Sequence, residues 1–384
     1  AQQQARDRVL CATGQPRVLV VNVEALSTVR AARELCEKFL KSGRAMMVVD
    51  ESTTIKSPTA TRSKIVRQLG SHAAARRIVT GSATPNSPLD LYAQFEFLDW
   101  RILGQRSYYA FRSRYAVLRQ ENFGGRRVQV VVGYRNTDEL SRRIAPYSFR
   151  VLKEACLDIP DKIYETRDVE LTPEQKTLYQ GLRSDAVAQI DDNVYVSAPM
   201  KVTQLLRMHQ IVCGHVVDEN GGVYDVAQNR DAALVELLRE HAGKAIVWVP
   251  YDHTLRRLSR VLEKEFGRGS VACFWGANRA TRHEDESRFL TDPACRFMLS
   301  TPAAGGRGNT WIVANLVVYY ANSHNLEHRV QSEDRAHRGG QTQSVTYVDL
   351  VARGTVDEKI IAALRKKIDI AAAIAGDGYR EWLV

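Results

Sequence analysis

The sequence lacks several features that would place it in a particular class of protein. No apolar run approaches the roughly 20 residues that a membrane-spanning helix needs. No internal repeat or low-complexity tract is present. The six cysteines are scattered, with no Cys-x-x-Cys pair and no histidine partner at zinc-ligand spacing. These absences argue against a helical membrane protein, a repeat protein and a zinc-stabilised scaffold. A reduced, intracellular chain is the expectation that remains.

The sequence also lacks a motif that matters for phosphate chemistry. A phosphate-binding loop has the form Gly-x-x-x-x-Gly-Lys-Ser/Thr and follows a strand, so that its amides and lysine contact phosphate oxygens. The only Gly-Lys pair, Gly243-Lys244, is followed by Ala245 and precedes an apolar run, so it cannot serve as such a loop. The opening residues AQQQARDR lack a methionine and are too polar for a signal peptide, and we expect them to be a cut end.

Positive charge is what the sequence has in excess. Lysine and arginine number 54 against 44 aspartates and glutamates, which gives a formal net charge of +10 over 384 residues and a pI near 9.3. This balance favours a polyanionic partner, because cations that neutralise phosphates release condensed counterions. Charge alone does not separate nucleic-acid-binding proteins from other basic proteins. The length and the 44% hydrophobic content suffice for two compact domains.

Short apolar runs alternate with helical patterns in two parts of the chain. The runs lie at 18–21, 46–49, 78–79, 245–249, 297–300 and 316–320. This alternation is typical of parallel strands connected by helices, and it predicts an α/β fold. We predict a first lobe over 1–150, a linker with a helical protrusion over 151–230, and a second lobe over 231–384.

One segment of the first lobe concentrates the positive charge. Residues 101–136 hold eight arginines against one acid, Glu121, so that seven of the ten net positive charges fall there. Aromatic residues interleave with these arginines at Tyr108, Tyr109, Phe111 and Tyr115. Such a composition suits contact with a phosphate backbone and stacking on bases or sugars. The alternative is that the aromatic rings pack inward and the arginines are simply solvated.

Two acids follow the second apolar run, in MMVVDEST. Asp50 and Glu51 would lie at the carboxyl end of a strand, where open α/β sheets bind their ligands. Hydrolysis of a nucleoside triphosphate needs one carboxylate to hold Mg²⁺ and another to orient and deprotonate the attacking water. Asp50 is the candidate metal ligand and Glu51 the candidate base. Taken alone, the pair is also explained by acids at the start of a helix.

A small-residue loop follows the third apolar run, in RRIVTGSATPNSP. Residues 80–84, ended by Pro85, would allow the backbone to approach another element closely. In the second half, LSTPAAGGRGNTW at 299–311 contains Gly305, Gly306 and Gly308, whose backbone N–H groups could contact phosphates.

The segment QSEDRAHRGGQT at 331–342 contains three residues at helical spacing. On a helix, Gln331, Arg335 and Arg338 stand at i, i+4 and i+7 and share one face, from which they could point at one phosphate chain. An arginine presented to a γ-phosphate stabilises the charge that develops during transfer. The alternative is a salt-bridged surface helix.

Taken in order, these motifs resemble a known family. DEST with Ile55-Lys56 behind it, then TGSATPNSP and LYAQFEFLD, resemble motifs II and III of Swi/Snf-type DNA-dependent ATPases of helicase superfamily two. The segments at 299–311 and 331–342 resemble motifs V and VI. VLVVNVEAL at 18–26, KAIVWVPY at 244–251 and GTVDEKI at 354–360 extend the resemblance over nearly the whole chain. Its short layout with few protrusions resembles compact members of bacterial or phage type.

The resemblance implies a fold, an activity and a partner. It implies two RecA-like parallel-sheet lobes with helical protrusions between them, the first lobe truncated because the family's phosphate-binding loop precedes VLVVNVEAL. It implies ATP, Mg²⁺ and movement on, or remodelling of, double-stranded DNA. The catalytic residues would be Asp50, Glu51, Arg335 and Arg338, with Asp50 holding Mg²⁺. The nucleotide-binding residues would be Gln331, Gly306 and Gly308. Coupling and DNA contact would fall to Thr80, Ser82, Thr84, Arg112, Arg114, Arg126 and Arg127.

Three departures and two alternatives accompany this interpretation. The phosphate-binding loop is missing, Ser52 and Thr53 stand where many relatives carry Asp-Glu-x-His, and Arg307 interrupts the glycine loop. We therefore expect the chain alone to be inactive. The alternatives are a catalytically inactive nucleic-acid-binding module derived from such a motor, and an ATPase that acts on single-stranded DNA or RNA. The expected location is the cytoplasm of a bacterial or phage-infected cell, without membrane contact.

Overall fold

The computed structural model describes residues 16–123, 126–151, 156–191, 198–306 and 308–375. The chain divides into two compact units. The first consists of the described parts of 1–120, 129–149 and 367–378, and the second of the described parts of 121–128 and 150–366. Helices alternate with parallel strands in both units, so the predicted α/β class is confirmed.

The first part of the chain is rich in helices. Its elements are α1 (Val23–Thr28), α2 (Arg30–Lys41), β1 (Met46–Asp50), α3 (Thr61–Gly70), β2 (Ala75–Val79), α4 (Leu91–Leu103), α5 (Tyr108–Tyr115), β3 (Ala116–Phe123), β4 (Arg126–Tyr134) and α6 (Thr137–Ile144). Strands β1 and β2 pair in parallel, with Met46 opposite Ala75 and Asp50 opposite Val79. Strands β3 and β4 form a separate sheet within the basic segment 101–136 of the predicted first lobe.

The sheet formed by β1 and β2 is packed on one face only. Val49 is buried together with Ile65 and Val66 of α3. Met46, Val48 and Val79 are about half exposed, at 58%, 49% and 54%. Side chains alternate across a strand, so these exposed residues mark a face that nothing in the described part of the chain covers.

The run at 18–21 is not a strand, contrary to its predicted role. Residues 16–22 belong to no helix or strand, and Val18 and Val20 are 81% and 89% exposed. A strand is defined by ladder hydrogen bonds to a neighbour, and apolar sequence alone does not supply that neighbour.

The second part of the chain contains the larger sheet. Its elements are β5 (Lys162–Asp168), α7 (Pro173–Asp191), α8 (Ala198–Val212), β6 (His215–Val217), β7 (Val223–Asp225), α9 (Arg230–Glu240), β8 (Lys244–Trp248), α10 (Asp252–Phe266), β9 (Val271–Phe274), α11 (Arg282–Thr291), β10 (Phe297–Ser300), α12 (Pro302–Gly305), β11 (Ala314–Tyr319), α13 (Leu326–Glu333), β12 (Val345–Val351) and α14 (Val356–Ala375).

Six parallel strands form this sheet in the order β5-β12-β11-β8-β10-β9. The predicted strands at 245–249, 297–300 and 316–320 correspond to β8, β10 and β11. The segment 151–230, predicted to be a linker with a helical protrusion, contributes the edge strand β5 and the helices α7 and α8.

Strand β8 shows why this sheet forms. Val247 faces one hydrophobic cluster with Leu258 of α10, and Trp248 faces the other with Trp311. The rings of Trp248 and Trp311 stack at 5.6 Å between centroids. Helices cover both faces, so the central strands are apolar throughout, as is usual for parallel sheets. No helix in the described part of the chain is both long and apolar enough to cross a membrane.

Two buried histidines of the second unit predict that its stability falls in mild acid. His209 and His215 are 6% and 2% exposed. Burial lowers the pKa of each imidazole to about 4, and for His215 the neighbouring His253 contributes to this lowering. The unfolded value lies near 6.5. Between the two values the unfolded state binds more protons, so stability decreases as the pH falls from about 6.5 to about 4. The loss is up to about 1.4 kcal/mol per pH unit for each histidine.

Urea unfolding followed by tryptophan fluorescence, repeated between about pH 7 and pH 5, measures this loss. The double variant His209→Gln/His215→Gln should show a shallower pH dependence than the wild type. His283→Gln is the matched control, because the His283 side chain is 71% exposed, and it should follow the wild type. Identical slopes in all three proteins would assign the acid sensitivity to other groups.

Candidate active site

Asp50 and Glu51 occupy a tight turn at the carboxyl end of β1. Asp50 is exposed, and its Oδ1 accepts a hydrogen bond of 2.9 Å from the Glu51 backbone N–H. Glu51 has left-handed backbone angles, φ 47° and ψ 59°. Such angles are uncommon outside glycine and cost on the order of 1–3 kcal/mol, so the surroundings must hold them in place. The chain then enters a 3₁₀ turn over Ser52–Ile55.

Buried hydrogen bonds connect this turn to the small-residue loop. The fully buried Ser52 hydroxyl donates to Gln94 Oε1 at 2.6 Å. Gln94 Nε2 donates in turn to the carbonyl oxygens of Ala83 and Asp90, each at 2.8 Å. Sequence reasoning did not single out Gln94. The available signal was a polar residue within the apolar helix segment LYAQFEFLD.

Two hydrogen bonds within the loop 80–84 hold its first three residues together. Thr80 Oγ1 accepts a hydrogen bond from the Ser82 N–H at 3.2 Å and donates to the Ser82 carbonyl at 3.1 Å. Thr84 is buried, at 6% exposed, while Thr80 and Ser82 are half-buried. Asp90 closes the far side by accepting from the Asn86 N–H at 2.8 Å. Burial raises the pKa of Asp90.

The glycine segment of the second unit has steric requirements. A Cβ on Gly305 would overlap Ser300 Oγ and lie 2.7 Å from the Trp311 ring. A Cβ on Gly306 would overlap the Pro302 carbonyl, and Gly308 has φ +79°. The loop therefore needs glycine at these positions. Arg307 lies outside the described residues.

The prediction that Gln331, Arg335 and Arg338 share one helix face is wrong for the two arginines. Helix α13 ends at Glu333, and Arg335 and Arg338 lie in the turns that follow. Two features of the backbone accompany the end of the helix. The Arg335 carbonyl accepts a hydrogen bond from the Trp311 N–H at 2.8 Å, and Gly340 takes φ +98°.

Both arginines nevertheless contact the segment that follows the glycines. Arg335 Nη1 donates to the Asn309 carbonyl at 2.7 Å, and its Nε donates to the Gln331 carbonyl at 2.9 Å. Arg338 is exposed, and its Nη1 donates to Thr310 Oγ1 at 3.2 Å. Gln331 Nε2 donates to Glu327 Oε1 at 3.4 Å along the helix. The structure thus brings these three residues next to the glycine loop.

A buried ionic network anchors the end of α13. The Glu333 carboxylate is 2% exposed and accepts from Lys162 Nζ at 3.0 Å, Tyr164 OH at 2.8 Å and Arg329 Nε at 2.7 Å. Burial alone would raise the pKa of Glu333, but Lys162 and Arg329 hold it below its usual value. The sequence did not reveal this network, because Lys162 comes from strand β5, far away in the chain.

Lys244 has a structural role. Its Nζ donates to the carbonyl oxygens of Phe289, Asp292 and Cys295 at 2.5, 2.6 and 2.8 Å, which caps the carboxyl end of α11. This geometry agrees with the prediction that Gly243-Lys244 is not a phosphate-binding loop.

The predicted DNA-contact arginines differ in how far they are already engaged. Arg112 Nη2 donates to the Gln129 carbonyl at 2.6 Å and ties α5 to β4. Arg114 forms a two-pronged ion pair with Glu139, with an Nε to Oε1 distance of 3.0 Å. Arg114 and Arg143 hold the pKa of Glu139 at about 2. Arg127 is exposed, and the Arg126 side chain lies outside the described residues.

The aromatic residues of the same segment are mostly internal. Phe111 and Tyr115 are fully buried, at 0% exposed, and Tyr108 packs against Tyr92 with 5.6 Å between ring centroids. Tyr109 is 76% exposed. Inward packing therefore describes Phe111 and Tyr115, and only Tyr109 retains the exposure that stacking on a base requires.

The residues at the end of β1 fit Mg²⁺ as a partial site. Mg²⁺ is commonly held by one or two carboxylates, with substrate phosphates and water completing its coordination. Asp50 provides one exposed carboxylate of this kind. Within the described ranges, no three His, Cys, Asp or Glu side chains converge into a self-sufficient metal site.

Comparison with known proteins then decides the family. The SNF2-related domain family matches residues 2–215, more than half of the chain, and the helicase conserved C-terminal domain family matches residues 229–340. The chain belongs to the SNF2 family of helicase-like ATPases. The resemblance derived from the sequence motifs is confirmed.

Relatives within the SNF2 family are much longer than this chain. The TATA-binding protein-associated factor mot1 of Aspergillus fumigatus is 26% identical over 371 residues, covering 85% of this chain and 20% of mot1. The mouse DNA annealing helicase and endonuclease ZRANB3 is 26% identical over 374 residues, covering 93% of this chain and 32% of ZRANB3. This chain therefore spans between a fifth and a third of their length.

A solved SNF2 structure is also similar. The Sulfolobus solfataricus SWI2/SNF2 ATPase core in complex with double-stranded DNA is 25% identical, covering 90% of this chain and 73% of that chain with a TM-score of 0.45.

Proposed function

We propose that this chain forms the greater part of an ATP-dependent motor that moves along, or remodels, double-stranded DNA. The observation that best supports this proposal is the Asp50-Glu51 turn, in which a strained backbone presents two carboxylates at the end of a parallel strand. Membership of a family of helicase-like ATPases supports ATP hydrolysis in general.

Each catalytic side chain has a proposed role. Asp50 would hold Mg²⁺, which would help to neutralise the charge of the nucleotide phosphates. Glu51 orients the attacking water and accepts its proton as the new bond to the γ-phosphorus forms and the bond to the ADP oxygen breaks. Arg335 and Arg338 stabilise the charge on the transferring group.

The remaining site residues bind the nucleotide or couple to DNA. We assign the nucleotide to Gln331, Gly306 and Gly308, because they lie beside the two arginines. We assign coupling and DNA contact to Thr80, Ser82, Thr84, Arg112, Arg114, Arg126 and Arg127. The relative ZRANB3 is a DNA annealing helicase and endonuclease, and the excess positive charge of this chain suits the same polyanion. Because ATP and DNA are both found inside cells, we propose an intracellular location.

The missing phosphate-binding loop limits what this chain does alone. Without amides and a lysine around the β- and γ-phosphates, ATP would be held only by the weaker contacts described above. We propose that the 384-residue chain alone hydrolyses little ATP and that polypeptide outside this sequence supplies the loop. The same absence favours a second candidate, an inactive nucleic-acid-binding module.

ATP hydrolysis assays distinguish these functions. The 384-residue chain is compared with the longest polypeptide of its source that contains it, each without nucleic acid and with duplex DNA, single-stranded DNA or RNA. We expect turnover only in the longer form, stimulated at least about tenfold by duplex DNA. DNA binding without hydrolysis in either form would support the binding module. If RNA stimulated hydrolysis more strongly than DNA, RNA would be the substrate in place of DNA. Full activity of the 384-residue chain would show that it needs no phosphate-binding loop from outside this sequence.

A further inference from the structure

Gln94 uses both ends of its side chain to join two loops of the first unit. Its amide is fully buried, at 0% exposed. The oxygen accepts from Ser52, next to Glu51, and the nitrogen donates to Ala83, between Ser82 and Thr84. A second donation, to the carbonyl of Asp90, the residue just before α4, fixes the orientation of the amide.

The apolar surroundings of Gln94 make burial of a polar side chain there energetically unfavourable. Its neighbours Tyr92, Ala93 and Phe95 are buried in the apolar interior of the first unit. Burial of an amide is unfavourable unless its hydrogen bonds are satisfied, whereas a leucine of similar size would be buried at no such cost. Ser52 and Ala83 of the two loops, together with Asp90, satisfy both ends of the Gln94 amide, so the cost is fully offset only when both loops are in place.

The link also explains how the strained turn persists. Glu51 holds a left-handed backbone that needs external support. Ser52 is the adjacent residue, and its buried hydroxyl is fixed by a 2.6 Å hydrogen bond to Gln94. A shift of the loop 80–84 would displace the Ala83 carbonyl and, through Gln94, the support of Glu51.

We infer that Gln94 is a positioning residue that couples the Asp50-Glu51 turn to the loop 80–84, so that movement of either loop is transmitted to the other. This inference rests on the proposed function, in which the turn serves hydrolysis and the loop responds to DNA. Because Gln94 is fully buried, it would act through these two loops and not by contact with a substrate.

Hydrogen exchange in the 384-residue chain tests the physical link without any ATP hydrolysis. In Gln94→Leu, amides in both 51–56 and 82–90 should exchange at least about tenfold faster than in the wild type. Acceleration in one loop only, or in neither, would overturn the link. If Gln94→Leu does not fold, Ser52→Ala removes a single hydrogen bond of the link, and faster exchange must then still reach the loop 82–90.

Gln175→Leu is the matched control. Gln175 is 1% exposed, its Nε2 donates to the Ile211 carbonyl at 2.7 Å, and its Oε1 accepts from the Thr172 N–H at 3.1 Å. It therefore loses equivalent buried hydrogen bonds, but in the second unit. Exchange should accelerate around 172–176 and 211–213, with no change in 51–56 or 82–90.

Kinetics of the hydrolysing polypeptide test the functional consequence. Gln94→Leu should lower the DNA-stimulated kcat at least about tenfold and leave the KM for ATP within about threefold, because it acts on positioning and not on binding. Gln175→Leu should retain the wild-type ratio of stimulated to basal rates. If the wild-type polypeptide did not hydrolyse ATP, the proposed function would be refuted, but the link between the two loops measured by hydrogen exchange would stand. Linked exchange with an unchanged kcat would overturn the positioning role.

Discussion

Glu51→Gln should lower ATP turnover by about 10²–10⁴-fold, the range typical of a lost general base. The amide cannot accept a proton from the attacking water. Glutamine has nearly the same size and can follow the same left-handed backbone, so the turn after β1 should persist. Asp50 remains available for Mg²⁺, and ATP should bind with the wild-type affinity.

The measurement compares steady-state hydrolysis with equilibrium binding of a fluorescent ATP analogue in the hydrolysing polypeptide. Glu34→Gln is the matched control, because Glu34 is 52% exposed and pairs with Arg30 on the surface of the described chain. The control should keep both properties. Wild-type turnover in Glu51→Gln would remove Glu51 from the mechanism, and a loss of binding equal to the loss of turnover would make it a nucleotide-binding residue.

The strands that sequence patterns predicted well are those buried on both faces. Strands β8 and β10 read as continuous apolar runs, because helices cover each side of the sheet. The run 18–21 looks similar but has no ladder partner in the described chain. Strand β5 escaped prediction because it is a polar edge strand, KIYETRD, stabilised by pairing with β12. Composition does not encode such a pairing.

The interior of the basic segment was predictable from spacing. Tyr108, Phe111 and Tyr115 stand at i, i+3 and i+7, which places them on one helix face, and this face is the one that packs inward. Tyr109 lies off that face and is exposed. The alternative that the rings pack inward is correct for Phe111 and Tyr115, whereas their interleaving with arginines overstated the number of rings available to nucleic acid.

The sequence predicted which residues and loops form the candidate site, but not the long-range hydrogen bonds that position them. Asp50 and Glu51 end a strand, as expected from the apolar run before them. Arg335 and Arg338 failed as helical residues because a long-range hydrogen bond from Trp311 takes the Arg335 carbonyl. The role of Gln94 was also not predicted, because its partners Ser52 and Ala83 lie in loops that only the folded chain brings together.

The two arginines are engaged to different extents, and this difference separates structure from catalysis. The half-buried Arg335 donates to two backbone carbonyls and closes the loop after the glycines. Among the described residues, the exposed Arg338 forms one side-chain hydrogen bond, to the Thr310 hydroxyl. Arg335→Ala should therefore lower both stability and turnover, while Arg338→Ala should affect turnover almost alone.

Arg338→Ala is expected to reduce ATP turnover by about 10³–10⁵-fold, the effect attributed to an arginine that stabilises a transferring phosphoryl group. Its exposed position predicts a change in unfolding free energy within about 0.5 kcal/mol. Arg338→Lys should recover only part of the activity, because an ammonium keeps the charge but loses the planar fork of donors.

Parallel urea unfolding and hydrolysis assays on Arg335→Ala, Arg338→Ala and Arg239→Ala separate these effects. Arg239 is 60% exposed and pairs with Glu265 on the surface, so its variant should match the wild type in both assays. Full activity in Arg338→Ala would reject this residue as the transition-state arginine. If Arg335→Ala alone lost activity with unchanged stability, the catalytic role would move to Arg335, and its two backbone hydrogen bonds would describe a resting position that it leaves when ATP binds.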